Sequence, residues 1–385
     1  MQTATMEVNK RDVTASIQML LGRVLSLEAL DAVMVSGRRP NSASVMPLLI
    51  SAPELLDQAD PLAPSFALNA ARQVCRLTRN ASAQRVAAVL RPCEIRAFIE
   101  LVKLKQGLRD QVLIIGIDCL GAYPNGVYEN LARQADGSLT PQFIAHQLAG
   151  ENHATDGDPL AKACRACENC LPNGADLAIC LWGIDTDREM ILQAQTDKGR
   201  EILEKLSLAE AAVPTERAAA VEAVVADRTR FRDQMFTETA TATDDLEKLG
   251  RYLDRCVNCY NCRTACPVCY CRQCVFETNL FDHEPLQYLA WAQRKGEIKM
   301  PSDTIFYHLT RLAHMSTACV GCGQCSNACP NDIDVMSLFR TVAHRTQAAF
   351  DYMAGRDLGE KPPLSEFREE EFPEVEGLHW SEPQS

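Results

Sequence analysis

Two cysteine runs carry the chemistry that is most plainly legible in this chain: Cys256-x2-Cys259-x2-Cys262-x3-Cys266-Pro267 and Cys319-x2-Cys322-x2-Cys325-x3-Cys329-Pro330. Thiolates are soft ligands that suit zinc and iron–sulfur clusters. Four-cysteine zinc sites are usually assembled from two C-x2-C hooks. A triple hook with a trailing Cys-Pro is instead the spacing that seats a [4Fe–4S] cubane, and its appearance twice implies two of them. In that pattern three thiolates of a run reach one cluster and the fourth ligates the other. The expected groups are Cys256, Cys259, Cys262 and Cys329 for cluster one, and Cys319, Cys322, Cys325 and Cys266 for cluster two. The proline after each fourth cysteine ends the local turn, since it has no N–H to donate.

Ten of the 18 cysteines lie outside these runs. Cys164-x2-Cys167-x2-Cys170 is a third hook, three thiols in seven residues. Cys93 and Cys119 each stand just past an apolar run, and together with the hook they could hold a third cluster, although a lone buried cysteine is commonly plain core. Cys269, Cys271 and Cys274 follow the first run directly, and could be structural or further ligands. Cys75 and Cys180 read as core. A disulfide framework would need an oxidising compartment, but the N-terminus MQTATMEVNKRDVTAS has no apolar signal segment. No stretch of about twenty apolar residues offers a membrane span, so the expected setting is cytoplasmic. A net charge of −12 argues against nucleic acid. Neither a Walker A run nor a G-x-S-x-G elbow is present, and the seven histidines form no metal-binding spacing.

The elements that must position these thiols fall into two kinds. Through about residue 200, apolar runs alternate with helical patterns: a helix over 13–27, strands over 32–36 and 45–51, a helix over 65–78, a strand over 85–90, a helix over 94–105, and strands over 111–118 and 176–182. Such alternation implies a mostly parallel, doubly wound sheet. Ligands in such sheets bind outside the carboxyl ends of the strands, where Cys93 and Cys119 would share one crevice if their strands are neighbours. Residues 201–249 are Ala-, Glu- and Arg-rich and read as helical linkers, with a break expected over 238–244 and a cap at Asp244 or Thr243.

Residues 250–355 read as a mainly α-helical two-cluster domain. Fifty-two residues separate Cys266 from Cys319, and helical patterns cover about 284–294, 303–314 and 334–353. Residues 356–385 form an acidic, proline-containing tail, with Phe367, Phe372 and Trp380 as isolated aromatics. Such a tail is either disordered or an extended arm that docks on a partner through its aromatics.

Arg91-Pro-Cys-Glu-Ile-Arg96, with the basic helix to Lys105, then Gly116-Ile-Asp-Cys-Leu120 with Pro124, and Cys167-x2-Cys170 before Ala175-Asp-Leu-Ala178, together resemble the beta subunit family of coenzyme F420-reducing hydrogenases and formate dehydrogenases. The resemblance covers roughly residues 10–200. The helical half resembles the two-cluster ferredoxin-type domain of heterodisulfide reductase and similar complexes. The first resemblance implies a cluster held by Cys93, Cys119, Cys167 and Cys170, with Cys164 competing for one place. It also implies FAD beside that cluster, the deazaflavin coenzyme F420 as substrate, and catalytic oxidoreductase subunits as partners. FAD would convert hydride transfer to one-electron steps. The chain departs from the family in the glycine-free Lys10–Ser16 and the bulky Ala178–Asp185. The expected role is therefore an electron-transfer subunit with a flavin or soluble carrier, a flavin-less iron–sulfur relay, or a cluster-bearing scaffold or sensor.

Overall fold

The computed structural model describes residues 2–27, 30–39, 44–80, 85–135, 139–149, 160–271, 273–281, 283–297 and 303–365. The aromatics of the tail, Phe367, Phe372 and Trp380, lie outside these. Eight strands form one sheet in the order β3-β2-β4-β5-β6-β7-β1-β8. They are β1 (Thr3–Glu7), β2 (Ala32–Arg38), β3 (Val45–Ile50), β4 (Val86–Leu90), β5 (Val112–Ile117), β6 (Leu177–Cys180), β7 (Glu189–Ala194) and β8 (Ala209–Glu210). The central strands β2, β4, β5 and β6 are parallel, and β3, β7, β1 and β8 add antiparallel edges. The sheet is thus mixed, where the alternating pattern suggested mostly parallel. The physical reason is connection length. Only a few residues join β2 to β3 and β6 to β7, and a short connection cannot make a parallel crossover.

β4 and β5 are neighbours in register, Val86 opposite Val112 through Leu90 opposite Gly116. Gly116 is required there, because a Cβ would come within 2.4 Å of Pro172 and 2.9 Å of Ala175. Helices cover the faces: α1 (Val13–Leu25), α2 (Ala71–Thr78), α3 (Pro92–Lys103), α4 (Asn125–Gln134), α5 (Leu139–Leu148), the short α6 (Lys162–Arg165) and α7 (Asp197–Leu206). One face packs α1 on β2, β5 and β6 through Ile17, Leu20, Leu21 and Val24; the other packs α2 and α3 and runs on into the helical half. Cys75 on α2 and Cys180 on β6 are core residues.

The helical half comprises α8 (Glu216–Ala242), α9 (Leu246–Tyr252), α10 (Asn261–Ala265), α11 (Pro285–Lys295), α12 (Thr304–Met315), α13 (Gln324–Asn327) and α14 (Val335–Ala349). The expected break at 238–244 falls later. α8 runs to Ala242, and along its end Thr237, Thr241 and Thr243 turn their hydroxyls back onto carbonyls four residues earlier. The next helix is capped by Asp245, whose Oδ1 accepts from Lys248 N–H at 2.7 Å, rather than by Asp244 or Thr243.

The two halves are closely joined. Gln324 and Asn327 donate to the Phe66 carbonyl at 2.7 and 3.1 Å. Buried Glu100 on α3 accepts from the Tyr352 hydroxyl at 2.5 Å and from Gly355 N–H at 2.6 Å. Arg96, one turn earlier, donates to the carbonyls of Ala354 and Val320.

Candidate iron–sulfur centres

The first group forms where α9 unwinds. Cys256, Cys259, Cys262 and Cys329 line one cavity, closed by Tyr260, Tyr307, His308, Ile333 and Val335. Its fourth thiol comes from the other run, and the same exchange builds the second group. Cys319, Cys322, Cys325 and Cys266 line a cavity walled by Val268, Arg311, Met315, Met336 and Phe339. Among the described residues no three His, Cys, Asp or Glu converge as one bound ion requires.

The two runs are local repeats in conformation as well as spacing. The residues on either side of the second cysteine are Asn258 and Tyr260 in one run and Gly321 and Gly323 in the other. All four have positive φ, from 50° to 80°. Asn258 N–H thereby reaches Cys256, and Gly321 N–H reaches Cys319. Glycine is needed in the second run for space as well: a Cβ at Gly321 would meet Arg340 Nε at 2.8 Å, and one at Gly323 would meet Ala163 Cβ at 2.5 Å.

The surroundings of the first group include residues that the cysteine spacing does not reveal. His308 Nε2 lies 3.4 Å from Cys256 Sγ, and the Tyr307 hydroxyl 3.4 Å from Cys262 Sγ. Burial, then the Arg311 charge, holds His308 neutral, with its pKa down at about 4. Arg311 Nη1 donates to Cys262 Sγ at 3.1 Å. The only signal for these residues in the sequence is the helical face Tyr307–His308–Arg311–Met315, where polar side chains stand on a buried stripe.

The third set of thiols stands at the carboxyl ends of β4 and β5. Cys93 opens α3, which Glu94 anchors by accepting from Arg91 N–H at 2.9 Å and from Ala70 N–H at 2.8 Å. Cys119 follows β5 and donates its N–H to the Cys170 carbonyl at 2.8 Å. Cys164 sits on α6 and Cys167 just after it. Burial raises Cys93 most, followed by the nearby charges of Cys119, Glu94, Cys322 and Cys167. Burial likewise pushes Cys164 up to about 12, with Cys119 and Cys167 adding to it. Cys93, Cys119, Cys164 and Cys167 keep part of their surface open, whereas Cys170 is 0 % exposed and packs in the apolar core under the sheet.

Arg311 touches Cys262 of the first group and lines the cavity of the second, and Gly323, next to Cys322, packs against Ala163, next to Cys164, so the three groups follow one another through the molecule. Cys269 is buried and Cys271 exposed beside the first run, with Cys274 between those extremes.

The crevice at the strand ends is filled by protein. Asp118 accepts from Leu181 and Trp182 N–H and pairs with Arg217 on α8 at 2.5 Å. Arg228, also on α8, is 1 % exposed and donates to the carbonyls of Cys119 and Leu120 while facing the Trp182 ring. A flavin does not fit where Leu181, Trp182, Arg217 and Arg228 pack.

Residues 83–218 match the family described as the C terminus of the coenzyme F420 hydrogenase/dehydrogenase beta subunit, and residues 252–333 match the 4Fe-4S dicluster domain. The chain is similar to an F420-dependent formate dehydrogenase subunit beta of Methanocaldococcus jannaschii, 28% identical over 73% of this chain and 76% of the relative. It is also similar to an F420-dependent formate dehydrogenase 1 subunit beta of Methanococcus maripaludis, 26% identical over 72% and 75%. A chain of the F420-reducing [NiFe] hydrogenase complex from Methanosarcina barkeri aligns at a TM-score of 0.43 and 14% identity, over 64% of this chain and 94% of that one. No helix among the described residues is long and apolar enough to cross a membrane. Over residues 83–218 the chain is thus similar to the coenzyme F420 hydrogenase/dehydrogenase beta subunit family, and over residues 252–333 to the 4Fe-4S dicluster domain.

Proposed function

We propose that this chain is the electron-transferring beta subunit of a multi-subunit oxidoreductase, a relay of three [4Fe–4S] clusters serving a partner that carries the catalytic centre. The observation that supports this best is the sequence of thiol groups: a first cavity lined by four cysteines, a second lined by four, and a third set that adjoins the second where Gly323, next to Cys322, packs against Ala163, next to Cys164. Clusters accept one electron at a time, and the protein tunes them through hydrogen bonds to sulfur, burial and net charge. Cys256, Cys259, Cys262 and Cys329 hold the first, and Cys266, Cys319, Cys322 and Cys325 the second.

For the third cluster we assign Cys93, Cys119, Cys164 and Cys167. Cys170, which the family resemblance implied, has no open surface on which to receive an iron. Cys164→Ser is expected to abolish the third EPR signal, while Cys170→Ser leaves it in place; the reverse outcome restores Cys170 as the ligand.

The relatives' names point to formate as donor and F420 as acceptor within their complexes. Because the strand-end crevice is filled, we favour a relay without flavin. Protein purified without oxygen and treated with acid is expected to release no FAD, and its reduced clusters to reoxidise with one-electron dyes but not with F420. Release of near one FAD per chain, with reoxidation by F420, overturns the relay in favour of a converter.

A further inference from the structure

Arg311 is a cation without a carboxylate. It lies on α12, 4 % exposed, and forms no ion pair with an acidic side chain among the described residues. Burying a charge is costly unless it is paired. The groups around it show what pairs with it. Nη1 donates to Cys262 Sγ at 3.1 Å and Nη2 to the Cys262 carbonyl at 3.2 Å. Cys262 belongs to the first thiol group, yet the same guanidinium lines the cavity of the second, beside Cys266 and Cys325. Its plane is held over Phe339 at 4.6 Å and near Tyr307 at 5.6 Å. Among the described residues the buried Nε–H has no hydrogen-bond partner, which leaves a donor for a further acceptor. Burial works against this charge, but Cys262, Tyr307, Cys266 and Cys325 outweigh it.

We propose that Arg311 is the shared counter-charge of clusters one and two, and that it raises the reduction potentials of both together. The reasoning rests on the cluster assignment above. A cluster held by four thiolates gains one further negative charge when it takes up an electron. A fixed cation between two such clusters therefore stabilises the reduced form of each. Hydrogen bonds to sulfur act in the same direction. Arg340, which also borders the second cluster, is by contrast paired with Glu168.

The test is an EPR-monitored one-electron redox titration of the full chain, with iron counted on the same samples. Wild-type protein showing two dicluster signals establishes the cluster assignment independently of Arg311. In Arg311→Met, with iron retained, reduction of both clusters is expected to become about tenfold less favourable, a fall of about 59 mV each. Tyr307→Phe, whose hydroxyl faces only Cys262 among the cluster thiols, is expected to lower the first cluster alone. Arg311→Lys keeps the charge and loses the fork, so the second cluster should hold its potential while the first falls. If Arg311→Met retains iron and either potential is unchanged, the shared role is wrong. If Arg311→Met loses iron, the lysine variant decides, and a fall in both potentials overturns the proposal.

Discussion

Gly323 is the point where the second cysteine run meets the hook that carries Cys164. Its φ is +80°, and a Cβ there would stand 2.5 Å from Ala163 Cβ, a distance that real side chains do not reach. Gly323→Ala therefore combines two costs. A non-glycine residue in the left-handed region costs about 1–2 kcal/mol, and forcing a methyl group into a packed contact typically costs about 1–3 kcal/mol. Together these give roughly 2–5 kcal/mol, discharged by moving α6 away from α13 and so separating Cys164 from the neighbouring cluster. Unfolding in urea, followed by loss of the visible cluster absorbance, measures the change, and the EPR signal of the third cluster reports the displacement. Gly250→Ala is the matched control: it lies on α9 with nothing within 4 Å of the added Cβ and should stabilise by about 0.5–1 kcal/mol. An alanine at 323 that costs no more than about 0.5 kcal/mol, a size typical of surface substitutions, would refute the argument that this contact joins the two halves.

Cys329→Ser is expected to perturb the EPR signal of the cluster held by Cys256, Cys259 and Cys262; a disturbance confined to the Cys319 cluster would mean that each run closes on its own metal. Burial pushes Cys75 and Cys180 up to about 12, so both stay protonated thiols far above neutrality. Alkylation of the folded protein near pH 8, close to the ordinary thiol pKa, should label exposed Cys271 and spare these two, and equal labelling would contradict their placement. Asp118→Asn leaves Arg217, mostly but not fully covered, without its carboxylate, a loss expected to stay below the roughly 3–5 kcal/mol of a fully buried pair; an unchanged urea midpoint would show that the pair does not hold α8 to the strand ends.

Much of the fold was legible because its signals are local. The apolar runs over 85–90 and 111–118 became β4 and β5, and the basic helix after Cys93 became α3. β1, β7 and β8 were not read. They form the antiparallel flank of the sheet, and their pairing is set by contacts far apart in sequence, such as Thr3 with Gln193. Four-cysteine grouping across the runs could be anticipated because the fourth thiol of each run projects away from its own hook. Neither Arg311 nor Arg228 could be anticipated, since a buried arginine reads as a surface residue until its neighbours are known. Our proposal of Cys164 over Cys170 likewise rests on packing, because both spacings suit a hook and Cys170 is 0 % exposed. The filled crevice followed from α8 folding back over the strand ends, which its Ala- and Arg-rich sequence does not announce.

The central claim is that one chain carries three cubanes, and anaerobic iron and sulfide analysis with matched cysteine variants tests it most directly. The account predicts about twelve iron and twelve sulfide per wild-type chain, with Cys93→Ser falling to about eight while both dicluster signals persist. Zinc in place of iron, or about eight iron in the wild type with no change in Cys93→Ser, would contradict it.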